Sequence, residues 1–189
     1  TAGKILTADE VVKSPGIPDT APMVRQLMEK GTPILAELEF AKRYSHGKCI
    51  CITGSNGKTT TTSLMYYIMQ KAGLDVGLAG NIGRSYAMQV AEGDHEWYVL
   101  EISSFQLDNM FDFKADVAVL MNITPDHLDR YEFCMQNYAE SYKSIWRWLT
   151  IPNALIFSPL KLCFCGKEDK CHGDSSSAIK FYPPLPNSN

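Results

Sequence analysis

From residue 48 onward the chain alternates short apolar runs with amphipathic stretches, the pattern of strands and helices taken in turn. The apolar runs predict strands over 48–53, 75–79, 97–102 and 115–121, with a weaker one at 154–157. Between them the pattern predicts helices over 58–72 and 84–91, a short helix opened by Ser103-Ser104, and a longer helix over about 132–148. Leu64, Met65, Ile68 and Met69 form the apolar stripe of the 58–72 helix, and Gly73 stops it. Thr124 is placed to cap a further helix with Pro125 at its first position, which would set His127 in the first helical turn. Ahead of this region, 9–12 and 33–35 read as short strands, 13–18 as a turn, and 21–30 and 36–44 as helices. Asp19 or Thr20 can cap the first of these helices, and Gly31 ends it. Strands alternating with helices imply an α/β fold, a mostly parallel sheet with helices on both faces.

Composition narrows the class. The chain has 189 residues, 45% hydrophobic and 21% charged, which excludes a disordered tail and a disulfide-stapled miniprotein. No apolar run reaches bilayer-spanning length, and residues 1–20 lack the basic-then-apolar order of a secretion signal. The net charge of −3, from 18 Lys and Arg against 21 Asp and Glu, argues against nucleic-acid and membrane partners. An anionic ligand must therefore be held by a local site or a metal. The chain starts at Thr1, which suggests a processed chain or a fragment.

Six cysteines occur. Cys49 and Cys51, inside an apolar run, read as small buried hydrophobes. Cys163, Cys165, Cys171 and His172 invite a zinc reading, but the adjacent Cys171-His172 pair fits ligand spacing poorly and favours unrelated loop thiols. Without a secretion signal, a reducing cytoplasm is expected. His46-Gly47 marks one boundary, and residues 151–189, with five of the ten prolines, break the βα pattern and read as an irregular tail. The expected division is 1–45, 46–150 and 151–189.

The chemistry concentrates after the first apolar strand, where Gly54-Ser55-Asn56-Gly57-Lys58-Thr59-Thr60 forms a strand–glycine turn–helix unit. Glycines let the backbone turn tightly, and inward N–H groups with a helix N-terminus hold phosphate oxygens. Lys58 can reach the β- and γ-phosphates, and the Thr59 hydroxyl can ligate Mg²⁺. Glycine five positions before Gly57 would complete the longer phosphate-loop pattern, but Ile52 stands there, so this is the shorter form. The bland alternative is a glycine-rich turn with an incidental lysine.

Two further polar groups sit at strand ends. Glu101 is one acid in the apolar string Tyr98-Val99-Leu100-Glu101-Ile102, where a carboxylate is costly unless it meets a cation. It reads as a Mg²⁺ ligand or water-orienting acid, or alternatively as an edge-strand glutamate facing solvent. His127 follows the next strand, and taken alone a structural histidine is the commoner reading. The phosphate loop, Gly80-Asn81, Glu101 and His127 all lie just past the carboxyl ends of separate predicted strands, the edge where open parallel sheets bind ligands.

These motifs carry a resemblance. The phosphate loop, Gly80-Asn81-Ile82-Gly83, Glu101-Ile102-Ser103-Ser104-Phe105-Gln106-Leu107 and Asn122-Ile123-Thr124-Pro125-Asp126-His127-Leu128-Asp129-Arg130 together resemble the Mur ligase family over about residues 8–141. The Ser103-to-Leu107 string, with Ser14-Pro15-Gly16-Ile17 upstream, is similar to the branch that joins D-glutamate to UDP-N-acetylmuramoyl-L-alanine in peptidoglycan precursor synthesis. The resemblance implies a phosphate-loop ATPase domain preceded by part of a Rossmann-like domain. It also implies ATP and Mg²⁺ as cofactors, an acyl-phosphate intermediate, and a monomer. By the same resemblance Lys58 stabilises the transferred phosphoryl group, with Gly54, Ser55, Asn56, Gly57, Thr59 and Thr60 around the nucleotide. Thr59, Glu101 and His127 would hold metal, and Ser14, Gly16, Asn81 and Ser103 would contact the UDP-muramoyl substrate.

The chain departs from the family in one place. A lysine, carbamylated in use, is expected on the helix after the histidine, but Tyr142 stands at that position and Lys143 follows one residue, about 100°, later. No resemblance continues beyond Tyr142. The family also has regions without counterpart here, so the chain is expected to be a truncated form that cannot complete ligation alone. A folylpolyglutamate synthase-like ligase is a second reading, and an inert nucleotide-binding fragment a third.

Overall fold

A computed structural model describes residues 2–143, 145 and 155–157. The 163–172 cysteine cluster and, apart from 155–157, the rest of the predicted tail lie outside the described residues. After a single helical turn, α1 (Ala2–Ile5), the chain forms β1 (Val11–Val12), α2 (Pro22–Lys30), β2 (Ile34–Leu35) and α3 (Glu37–Lys42). Then come β3 (Lys48–Thr53), α4 (Lys58–Lys71), β4 (Val76–Gly80), α5 (Tyr86–Glu92), β5 (Trp97–Glu101), α6 (Ser104–Leu107) and β6 (Val117–Leu120). A 3₁₀ turn (Leu128–Tyr131), α7 (Met135–Glu140) and β7 (Leu155–Phe157) complete it.

The strands form two parallel sheets. β1 and β2 pair by themselves, and α2 packs Val24 and Leu27 against Ile34. The larger sheet has the order β4-β5-β3-β6-β7, all parallel. β3 alternates its side chains between two cores: Ile50 and Ile52 meet Met69, Val76 and Val99 under α4, while Cys49 and Cys51 join Tyr98, Leu100, Leu120 and Tyr86 on the other face. A central parallel strand is buried on both sides, which is why its sequence is apolar throughout. Both cysteines are buried and free, as small hydrophobes.

β3 lies between β5 and β6, so the chain leaves it toward β4 and β5 on one side and later returns to β6 on the other. That reversal opens a crevice at the carboxyl end of β3, the place where open α/β sheets take ligands. Glu39 fixes α3 to the loop before β6, because its buried carboxylate accepts the backbone N–H groups of Phe111, Asp112 and Phe113.

Four sequence expectations are corrected. Neither Asp19 nor Thr20 caps α2: its N-cap is Ala21, with no side-chain cap bond, and Asp19 pairs with Lys13 instead. The stripe of α4 is not Leu64, Met65, Ile68 and Met69: Thr62, Met65 and Met69 face the sheet, while Leu64 and Ile68 are more than half exposed. The 64/68 and 65/69 pairs lie on adjacent rows about 100° apart, and only one row reaches a flat sheet. Thr124 caps no helix. Its backbone and hydroxyl bond to Ser55 and Asn56 instead, so residues 124–127 stay irregular and His127 is left-handed (φ 48°). The long helix begins at Met135 rather than 132, because Glu132 and Phe133 have φ of 55° and 54°. It ends at Glu140, and the predicted stretch beyond 145 lies outside the described residues.

Gly80 closes β4 at φ 95°, and a Cβ there would stand 2.1 Å from the Glu101 carbonyl oxygen. Gly80→Ala is expected to lower stability by about 2–4 kcal/mol, since both strain and a backbone clash act together. Chemical denaturation measures it; a change under about 0.5 kcal/mol would contradict this packing.

Candidate functional site

The turn after β3 is stitched to the end of β6. Gly54 has φ 130° and a Cβ there would lie 2.8 Å from the Asn122 carbonyl oxygen, so only glycine permits this approach. The Ser55 N–H donates to that carbonyl, and the Asn56 N–H donates to Asn122 Oδ1 (2.9 Å). In return Asn122 Nδ2 donates to the Asn56 carbonyl (3.0 Å). The Ser55 hydroxyl is buried, bonded to the Thr124 carbonyl and to the Tyr138 hydroxyl, both at 2.8 Å. Ser55 and Asn56 thus spend these groups on holding the loop's shape. Helix α4 starts at Lys58, so the N–H groups of Lys58, Thr59 and Thr60 have no intrahelical acceptor. Those donors and the helix dipole make the loop attractive to an anion.

Lys58 Nζ folds back over this turn, donating to the carbonyls of Gly54 (2.7 Å) and Ser55 (2.8 Å). The ammonium is therefore already at the mouth of the loop, and a phosphate group could draw it forward.

Glu101 ends β5, opposite Ile52 on one side and Gly80 on the other. It is 1% exposed in the middle of the sheet, which rules out the solvent-facing edge reading. Asn81 Nδ2 donates to Glu101 Oε1 at 2.8 Å, whereas Oε2 is buried with no hydrogen-bond partner among the described residues. A buried carboxylate oxygen without a partner at a ligand-binding edge is a group with the chemistry to meet a cation. Ser103 caps α6 in a reciprocal box with Gln106, so its hydroxyl has a local structural use as well as a place at the site.

A cavity of about 270 Å³ joins these parts. Gly54 and Lys58 form one wall, Asn81 and Ser103 a second, and His127 and Gly16 the others. Glu101 lies behind Asn81, to which it is bonded. Ser14, Thr59 and Thr60 are exposed nearby but do not line this cavity. Tyr138 and Tyr142 close its floor, with their hydroxyls 2.8 Å apart. Burial, and then the bond to Tyr138, push the Tyr142 phenol far above its ordinary range, so it stands there as a neutral group. Lys143 does not line the cavity; its Nζ pairs with Glu140 at 2.9 Å. A larger hollow of about 450 Å³ at the opposite sheet edge, around His46, Asp94, His95 and Trp97, holds none of the predicted residues.

Asn122, Thr124 and Tyr138 shape the loop and were not singled out for that by the sequence. Asn56 and Asn122 are 66 positions apart, and an asparagine after a strand carries no mark of its partner.

Residues 52–159, more than half of the chain, match the Mur ligase middle domain, so the family likeness runs past Tyr142, where the sequence reading ends it. The chain belongs to the Mur ligase family. Among curated relatives, UDP-N-acetylmuramoylalanine–D-glutamate ligase of Bacteroides fragilis is 65% identical over 157 residues, covering 83% of this chain and 35% of the relative. The proteins of the same name from Bacteroides thetaiotaomicron and Porphyromonas gingivalis are 62% and 60% identical, covering 81% and 78% of this chain and 34% and 33% of theirs. This Mur ligase chain thus spans about a third of the length of the curated relatives it matches. Among solved structures, the UDP-N-acetylmuramate:L-alanyl-gamma-D-glutamyl-meso-diaminopimelate ligase of Neisseria meningitides aligns at TM-score 0.52 and 21% identity. That alignment covers 83% of this chain and 54% of the other, and it shows the shared fold. Among the described residues of this family member no helix is long and apolar enough to cross a membrane.

Proposed function

We propose that this chain is the nucleotide-binding part, with a portion of the UDP-substrate part, of an ATP-dependent ligase that adds D-glutamate to UDP-N-acetylmuramoyl-L-alanine. The observation that carries this reading is the single cavity bringing Lys58, Asn81, Ser103 and His127 together with the Pro15-Gly16 turn of the N-terminal segment. The high identity to the Bacteroides relatives supports the choice of substrates.

In this reading the N–H groups at the start of α4 hold the nucleotide phosphates, and Lys58 neutralises charge on the γ-phosphoryl group as it moves. The substrate carboxylate oxygen attacks the γ-phosphorus and the bond to ADP breaks, giving an acyl phosphate. The D-glutamate amine then attacks the acyl carbon, loses a proton and displaces phosphate. Asn81 orients Glu101 by fixing one of its oxygens, and the other stays buried without a hydrogen-bond partner among the described residues, beside Asn81 of the cavity wall. Glu101, the Thr59 hydroxyl and His127 are the groups that would hold Mg²⁺, whose chemistry there is to neutralise phosphate oxygens. The fit is to a sparsely liganded ion. Among the described residues no three His, Cys, Asp or Glu side chains converge as a metal cage, and Mg²⁺ commonly takes one or two protein carboxylates plus phosphate and water.

Calorimetric titration of the full chain with MgATP and, separately, with UDP-N-acetylmuramoyl-L-alanine is expected to show saturable binding of each. Binding of nucleotide alone would reduce the chain to a nucleotide-binding fragment, and binding of neither would remove the reading.

A further inference from the structure

Arg130 joins two walls of the cavity that come from distant parts of the chain. Its guanidinium carbon lies 4.1 Å from the centre of the Phe105 ring. Its Nη1 donates to the Pro15 carbonyl oxygen at 3.3 Å, across 115 positions of sequence. The same Phe105 ring lies 5.3 Å from the His127 imidazole and stacks on Tyr131 at 18°. Pro15, Phe105 and His127 line the cavity, and Arg130 stands behind them.

The 14–17 segment is a tight turn, closed by the Ile17 N–H on the Ser14 carbonyl (3.0 Å). Its flank is held within the N-terminal segment, where buried Lys13 pairs with Asp19. Neither bond fixes the tip of the turn relative to the larger sheet; the Arg130 bond does. The side-chain chemistry suits that task. A guanidinium is flat and permanently charged, so its face can lie on an aromatic ring while its edge donates to a carbonyl. Lysine can donate but cannot stack flat, and methionine can cover the ring but cannot donate.

We propose that Arg130 is a positioning residue that sets the Pro15-Gly16 turn at a fixed distance from the Phe105–His127 side of the cavity, so that one ligand is gripped at both ends. It does not itself line the cavity. The choice of a UDP-muramoyl ligand as the molecule that spans the two walls rests on the function proposed above; the contact itself does not.

The test uses the full chain, with Arg130→Met and Arg130→Lys beside the wild type. Hydrogen–deuterium exchange is read over the peptide containing residues 13–18, and affinities are measured for MgADP and for UDP-N-acetylmuramoyl-L-alanine. In Arg130→Met, exchange over 13–18 is expected to rise about tenfold while the α4 region keeps its protection. The UDP-ligand affinity should fall about tenfold, with MgADP affinity held within about twofold. Arg130→Lys should recover part of the UDP-ligand loss, because it keeps a donor. Unchanged exchange over 13–18 overturns the inference, as does an equal fall in both affinities, which would mark a general loss of structure. If the wild type binds MgADP but not the UDP ligand, the substrate reading fails, and the exchange result still decides whether Arg130 sets the turn.

Discussion

Replacing Lys58 by alanine is expected to weaken MgATP binding roughly 30- to 100-fold while leaving the fold in place. A charge-assisted contact to phosphate contributes about 1.5–3 kcal/mol, and no other lysine or arginine lines this cavity among the described residues. The ligand-free position of Lys58 adds a second consequence. Its bonds to the Gly54 and Ser55 carbonyls brace the loop, so alanine should also raise exchange across 54–57. The remaining bonds to Asn122 and Thr124 keep the loop attached, which is why unfolding is not expected. Arginine at this position should not restore affinity, because its fork is longer and differently shaped from an ammonium. Calorimetry with a non-hydrolysable ATP analogue checks this. An alanine variant that binds as the wild type does would mean that nucleotide is not held at this loop.

Glu101→Gln is expected to move stability and cation binding in opposite directions. In metal-free solution the wild type keeps a carboxylate oxygen buried without a partner. Removing the charge should raise stability by about 1–3 kcal/mol, and the melting temperature by roughly 2–12 °C. The bond from Asn81 survives, since the glutamine oxygen still accepts it. The same change should weaken Mn²⁺ binding, followed by electron paramagnetic resonance in the presence of ADP, by roughly tenfold or more. A residue with only a structural role would give a different pattern, a lower melting temperature and an unchanged cation. Seeing that pattern would remove Glu101 from the metal site.

Lys58 and Glu101 differ in how much of their role is set by neighbouring residues. Lys58 was recognisable because its use is local: strand, glycine turn, lysine and helix are consecutive, and the physics of a helix N-terminus needs no distant partner. Glu101 was recognisable as an anomaly, an acid within an apolar strand, but two readings remained. The strand order settled between them by placing β5 between β4 and β3, where no edge is available. Thr124 misled for the opposite reason. Its sequence context favours a helix cap, yet Ser55 and Asn56, 69 and 68 positions earlier, take its hydrogen-bonding groups. Local preference is worth about 1 kcal/mol and yields to several tertiary hydrogen bonds.

The order of elements, the parallel sheet and the phosphate turn follow from the sequence alone, because hydrophobic period and glycine placement act over a few neighbouring residues. Only the tertiary structure decided that Asn122 clamps the loop, that Asn81 leaves one Glu101 oxygen unpartnered, that Tyr142 closes the cavity floor while Lys143 pairs outside it, and that Arg130 reaches back to Pro15. Each of those depends on which strands become neighbours, and neighbourhood in a sheet is set by the packing of the whole chain rather than by any stretch of it.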